Sequence, residues 1–505
     1  MTPSRSPWRT AGLATLGLSV VLALVPATQT SAAPTAATTP VTDSTDQQTY
    51  RPVEGRYLVA LAGTTALDGT FAPSAPASAV SALVASAGGT VVNDLSAQIG
   101  VITVEATDPS FVDAVSASPL VDSVGNDFGI KMFADAPQNT NDPLESLQWD
   151  MRQIKTQEAH TRQAGIPAVD VGVLDSGVDG HHPDFIGQDG RSNVDCGRGR
   201  DSLASLPPGV AVGTPDVCSD NQFHGTHVAG TIGARANGIG VVGVAPNVTL
   251  VPVKVCDTSG YCYASPVIDG ITYAGDIRLD VINMSFFVDD NEFQESTEFK
   301  CASDPVQGTF RKAVERALSY ARSQGVTPVA ALGNSDQDLS SPTDDAGQPI
   351  PAECAVVPAE SPGVIGTSAL GPQSEKASYS NYGDGENDVA APGGNGTTGD
   401  CTTTVISTAP GGAYVCISGT SMASPHAAGV AALIVSQYGK VGKDGEVDMS
   451  PSAVEKHLKA TAVDIGLRGY DECFGHGRID AFRAVTGDKT PTYDPSAPAC
   501  PEYSE

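Results

Sequence analysis

The sequence predicts an α/β protein in which a small βαββαβ unit precedes a larger domain built on a parallel sheet. In the first part of the chain, after a polar stretch, short strand-like runs alternate with short helical patterns bounded by Gly and Pro. From about Asn141 the apolar runs become continuous and β-branched, as in strands covered on both faces, and helical segments separate them.

Taken in order, residues 1–32 read as a secretory signal peptide: Arg5 and Arg9, an apolar run from Ala11 to Val25, then Thr30, Ser31, Ala32 and Ala33. That run is too short for a membrane anchor. Residues 33–49, rich in Ala, Thr, Pro and Ser, read as a linker. Residues 50–132 form the small unit. Its strands are RYLVAL (Arg56 to Leu61), TVVNDL, GVITVEA and PLVDSVGND. One helix covers Ser78 to Ala87, stopped by Gly88 and Gly89, and a second is capped by Asp108 and opened by Pro109. The order βαββαβ is that of a ferredoxin-like domain. Residues 133–488 carry the larger domain, with strands AVDVGVL, LVPVKV, DVINMSF, VTPVAAL and GVIGTSAL, and 489–505 form a polar tail.

Bulk properties narrow the function. The 505 residues include 58 acidic and 28 basic side chains, a net charge of −30 that opposes nucleic acid and anionic lipid as partners. Nothing after the signal is long and apolar enough to hold the processed chain in a membrane, so a secreted, soluble protein is expected. Ten cysteines, all from Cys196 onward, read in an exported chain as disulfides, with sequence neighbours as the expected pairs. A zinc cluster would need short C-x2-C spacings, and the closest pair here is Cys256 and Cys262.

The chemistry-bearing residues stand at strand ends and helix starts, where an open parallel sheet places its sites. Asp175 ends the strand of VGVLDSGVDGHHPDF, His224 opens HGTHVAGTIGA, and Ser421 opens the helix of GTSMASPHAAGVAALIVSQY, which runs to about Tyr438. Singly, these are ordinary: a turn carboxylate, a capping or core histidine and a helix-capping serine. Jointly, the order Asp, His, Ser is one of the known arrangements of a nucleophilic triad.

These three blocks resemble, nearly residue for residue, the catalytic motifs of the subtilase family of serine peptidases, and the resemblance spans about Asn141 to Val485. It implies a three-layer subtilisin-like domain in which Ser421 attacks the scissile carbonyl, His224 moves the proton and Asp175 orients the imidazole. In VAALGNSD, Asn334 after Gly333 matches the side chain that donates to the oxyanion. The resemblance also implies substrate held as an added β-strand between Ser259, Gly260, Tyr261 and Ser285, Phe286, Phe287. Phe287 stands where the family usually has glycine, so a narrowed pocket is expected. His426, about 140° around the helix from Ser421, is not expected to reach that hydroxyl. His227, one turn past His224, reads as structural, and an H-x-x-H zinc pair lacks the H-E-x-x-H glutamate.

By the same resemblance, RANGIGVVG matches a calcium loop. Asp142, Asp184 and Asn237 would be side-chain ligands, and Arg235, Ile239 and Val241 would offer carbonyls. No organic cofactor is implied. The small unit resembles the family's propeptide, cut off between about Asn126 and Asn141, so the chain is expected to be a secreted zymogen, monomeric, acting on proteins or peptides, with its own propeptide as inhibitor. The cysteine-bearing stretches from Cys196 to Cys218, Asp289 to Phe310, Gln337 to Cys354 and Thr397 to Cys416 exceed a minimal subtilase, and either stabilise loops or influence substrate choice. The rival readings are a non-catalytic binding protein of the same fold, a kexin-like processing protease and a metalloenzyme using the H-x-x-H pair.

Overall fold

The computed structural model describes residues 50–65, 71–131, 144–211, 213–214, 216–287, 299–344, 347–442 and 445–500. The stretches read as signal peptide and linker, and Asp142, lie outside the described residues.

The N-terminal unit contains β1 (Tyr50–Leu61), α1 (Ala77–Ser86), β2 (Thr90–Leu95), β3 (Val101–Glu105), α2 (Phe111–Ser116) and β4 (Val121–Lys131). Its strands pair antiparallel in the order β4-β1-β3-β2, the ferredoxin-like arrangement. Alternate strand residues Val59, Leu61, Ile102 and Val104 bury one face against Val80 and Val84 of α1 and Phe111 and Val115 of α2. α2 begins two residues later than the Asp108-Pro109 pair suggests. Asp108 Oδ1 accepts the Ser110 N–H at 2.9 Å, and this side-chain-closed turn precedes the helix instead of capping it.

The larger domain carries β5 (Asp170–Asp175), β6 (Arg200–Asp201), α3 (His224–Gly233), β7 (Thr249–Lys254), β8 (Tyr261–Tyr263), α4 (Ala264–Asp276), β9 (Val281–Met284), α5 (Pro305–Ser323), β10 (Thr327–Ala331), β11 (Ile365–Leu370), β12 (Val389–Pro392), the hairpin β13 (Val405–Ala409) and β14 (Ala413–Ile417), and α6 (Thr420–Tyr438). Seven strands form one sheet in the order β12-β11-β10-β9-β5-β7-β6, with every pairing parallel. The continuous apolar runs now have their reason. Val171, Val173, Val281 and Val329 face α3 and α6 in one buried cluster. Leu174, Ile282, Met284 and Ala330 face α4 and α5 in another. Both faces of the sheet are covered, which makes three layers.

β8 lies outside that sheet. It pairs antiparallel with β4, Tyr261 opposite Lys131 and Tyr263 opposite Gly129, so it is the fifth strand of the N-terminal unit's sheet. Gly129 permits this approach, since a Cβ there would stand 2.3 Å from the Tyr263 ring.

Five disulfides join sequence neighbours: Cys196–Cys218, Cys256–Cys262, Cys301–Cys354, Cys401–Cys416 and Cys473–Cys500. No cysteine among the described residues is free. They close loops of 6 to 53 residues in sequence, and each restricts the unfolded chain.

Candidate active site

Asp175 is the last residue of β5 and is fully buried. His224 is the first residue of α3, and its Nδ1 stands 3.0 Å from both Oδ1 and Oδ2 of Asp175. Gly225 makes this closeness possible, because a Cβ there would collide with the Gly177 carbonyl oxygen at 2.1 Å. Phe223, just before the histidine, takes the left-handed backbone conformation with φ 92°. That costs on the order of 1 kcal/mol or more and needs support from its surroundings.

The support is Asp220, which sequence reasoning missed. Its buried carboxylate accepts from the N–H groups of Gln222, Phe223 and Thr226 and from the hydroxyls of Ser176 and Thr226, at 2.7–3.0 Å. One side chain thus ties the residue after Asp175 to the entry of the helix that carries His224. Burial pushes the Asp220 carboxyl up, and the hydrogen bonds from Thr226 and Phe223 oppose that shift. No capping pattern marks it, because Asp220 stands four positions before the helix start and the N-cap position is held by Phe223.

Ser421 lies in the first turn of α6. Its Oγ donates to the Ser285 carbonyl at 3.2 Å, and the Ser285 hydroxyl donates back to the Ser421 carbonyl at 2.8 Å. Asn283 holds Ser285 and accepts from Ser424, so the end of β9 and the start of α6 are sewn together. Asn334 follows β10 and Gly333; its Oδ1 accepts from Thr420 N at 2.9 Å and from Thr420 Oγ1 at 2.8 Å. With the oxygen so engaged, Nδ2 is left as a donor. A Cβ placed on Gly419 would stand 3.6 Å from Ser421 N and 3.8 Å from Asn334 Nδ2, so both nitrogens border one small space at the helix N-terminus.

Tyr261 is in strand β8, while Ser259 and Gly260 form the turn before it, closed on Asp257, with Gly260 at φ +83°. The pairing edge is therefore Tyr261–Tyr263, displaced along the chain from the segment centred on Gly260. Phe286 is fully buried, and Phe287 is partly buried against the same cluster.

The other histidines separate cleanly. His227 Nε2 faces the carbonyls of Val405 and Val415, and burial pulls its pKa down to about 3, so it is neutral and structural. His426 bonds Met422 O and, through Nε2, Asp150 Oδ2 at 3.1 Å, inside the core. Among the described residues no three His, Cys, Asp or Glu side chains converge as a metal cluster.

Of the calcium-loop residues, Asp184 is buried at the base of the 235–243 loop. Its Oδ2 accepts the Val241 N–H at 2.8 Å, while Oδ1 is buried without a hydrogen-bond partner. Burial pushes the carboxyl up to about 6, against the Val241 and Tyr414 hydrogen bonds. Asn237 Oδ1 accepts from Ile239 N, its Nδ2 bonds Pro183 O and Ile186 O, and Arg235 O accepts from Asn237 N.

Residues 167–477 match the family model described as the subtilase family. The chain is 34% identical over 341 residues to subtilisin NAT of Bacillus subtilis subsp. natto, covering 68% of this chain and 72% of the relative. It is 32% identical over 387 residues to an alkaline protease of Alkalihalobacillus alcalophilus, covering 77% and 80%. In fold it resembles the epidermin leader peptide processing serine protease of Staphylococcus aureus, with TM-score 0.64 and 21% identity over 86% of this chain and 99% of that one. A lanthipeptide protease aligns with TM-score 0.53 and 24% identity over 67% of this chain and 93% of that one. A parallel three-layer sheet domain, a carboxylate and an imidazole joined at its carboxyl edge, and this breadth of sequence identity place the chain in the subtilase family, as a subtilisin-like serine endopeptidase.

Proposed function

We propose that the chain is made as a secreted zymogen and hydrolyses peptide bonds in proteins through an acyl-enzyme formed on Ser421. The observation that carries this reading is the pairing of Asp175 with His224 Nδ1, because it leaves Nε2 as the proton-accepting nitrogen. His224 takes the Ser421 proton as Oγ bonds to the carbonyl carbon, then returns it to the leaving amine; water repeats the sequence to free the acid. Asn334 Nδ2 and Ser421 N–H donate to the oxygen as it gains negative charge, aided by the N-terminal end of α6.

The zymogen reading is supported by β4. It occupies, as an added strand, the edge Tyr261–Tyr263 that an extended substrate would use. An inhibitor held there excludes substrate until it is cut and leaves. Among the described residues no helix is long and apolar enough to cross a membrane.

The residues around Asp184 fit a calcium ion: a buried carboxylate oxygen without a hydrogen-bond partner, beside a loop that carries an amide oxygen and carbonyls, suits a hard cation. Asp184, Asn237 and the carbonyls of Arg235, Ile239 and Val241, with Asp142, would hold it. Bound there, it would neutralise Asp184 and fasten the loop that follows α3.

Labelling by a serine-directed fluorophosphonate tests the catalytic reading. Stoichiometric labelling of the processed chain, lost in Ser421→Ala and in heat-unfolded protein, is expected; no labelling of the wild type would make it a binding protein of this fold.

A further inference from the structure

The Cys196–Cys218 insertion and the Cys256–Cys262 hairpin meet at a side chain that belongs to neither. Arg51, on β1, reaches across from the N-terminal unit. Its Nη1 donates to the Val210 carbonyl and to the Tyr263 hydroxyl, each at 3.1 Å, and stands 3.5 Å from Asp257 Oδ2. Its guanidinium carbon lies 4.1 Å from the centre of the Tyr261 ring. Val210 lies in one disulfide-closed loop, and Asp257 and Tyr261 lie in the other. Asp257 has no exposed side-chain surface. Its Oδ1 accepts from Ser259 N and Tyr261 N, and its Oδ2 from the Tyr263 hydroxyl, so the cradle is shaped by the larger domain's own hydrogen bonds.

A second arginine repeats the approach five residues on. Arg56, fully buried, donates from Nη1 to the Ser205 carbonyl and from Nη2 to the Ser205 hydroxyl at 3.3 Å, again on the Cys196–Cys218 insertion. Its counter-charge, Asp127 at 3.1 Å, belongs to the N-terminal unit itself. Of these two arginines, Arg51 is the one whose carboxylate partner lies across the divide. A planar group that donates to a carbonyl and a hydroxyl, meets a carboxylate and covers an aromatic face fits guanidinium chemistry better than an ammonium.

We propose that the two disulfide-closed loops form a guanidinium clamp through which the peptidase domain selects and retains its own N-terminal unit by Arg51, with Arg56 as second anchor. This rests on the zymogen reading above and assigns the Cys196–Cys218 insertion a partner, strand β1 of the same chain. While the clamp holds, β4 stays on the edge of β8. Once the unit leaves, Asp257 keeps its three internal hydrogen bonds, so the cradle remains formed on the mature enzyme.

The test uses the full chain. Self-cleavage is followed by electrophoresis, retention of the N-terminal unit by size exclusion, and activity by fluorogenic casein. Wild type should show a lag between cleavage and full activity. Arg51→Met should shorten that lag at least about tenfold, since it leaves a buried carboxylate without its cationic partner. Arg51→Lys should recover only part of it. The final kcat/KM should equal wild type in both, because residue 51 departs with the unit. A lag and co-elution unchanged in Arg51→Met, or fully restored by Arg51→Lys, would overturn the clamp. If Arg51→Met yields no folded chain, the Arg51→Lys lag decides alone. A wild-type chain fully active with its N-terminal unit still attached would overturn the zymogen reading instead.

Discussion

His224 Nδ1 sits equidistant, at 3.0 Å, from both carboxylate oxygens of Asp175, so the imidazole is gripped through that nitrogen by a bifurcated hydrogen bond. Asp175→Asn offers an amide nitrogen in place of one oxygen and favours the wrong tautomer. We expect kcat/KM to fall about 10⁴-fold. The thermal midpoint of the processed enzyme, measured alongside, should shift little by comparison.

Asn334→Leu removes Nδ2 and also the acceptor of Thr420 N and Oγ1. The turnover loss should be at least about a hundredfold, corresponding to about 2.7–4 kcal/mol of barrier, with KM little changed. Near-normal kcat would remove Asn334 from the reaction.

Asp220→Ala strands the donors that converge on that carboxylate and releases Phe223 from its left-handed conformation. Each buried donor left unpaired costs about 1–3 kcal/mol, so a clear fall in thermal midpoint should accompany the loss of activity. Asp220→Asn, which keeps an acceptor oxygen, should recover part of both; equal damage in the two variants would count against a hydrogen-bonding role.

Calcium removal should expose a pH dependence. In the metal-free fold the Asp184 carboxyl titrates near 6, above the unfolded value of about 3.9, so the folded state binds the extra proton. Metal-free stability should therefore fall as pH rises from about 4 to about 6. A bound cation favours the ionised form and should cancel that slope. Thermal midpoints across this range, with EDTA and with calcium, check it; coincident curves would place calcium elsewhere.

Continuous β-branched runs told that the larger domain's sheet is parallel and doubly covered, because a strand buried on both faces has no polar face to alternate. The small unit's βαββαβ order was legible from its period-2 strands and glycine stops, while the start of α2 was not, since Asp108 could equally cap a helix or close a turn. Asp175, His224, Ser421 and Asn334 were legible as motifs because each stands beside a strand end or helix start that the local sequence fixes. The sequence alone therefore determined the α/β fold class and the family, and it named the candidate reacting side chains. Only the tertiary structure decided what Asp220, Arg51 and Arg56 touch and which edge strand β4 takes. Those contacts depend on groups 44 to 212 residues apart in sequence meeting in space, such as Ser176 with Asp220 or Arg51 with Tyr263, and no local pattern records such a meeting.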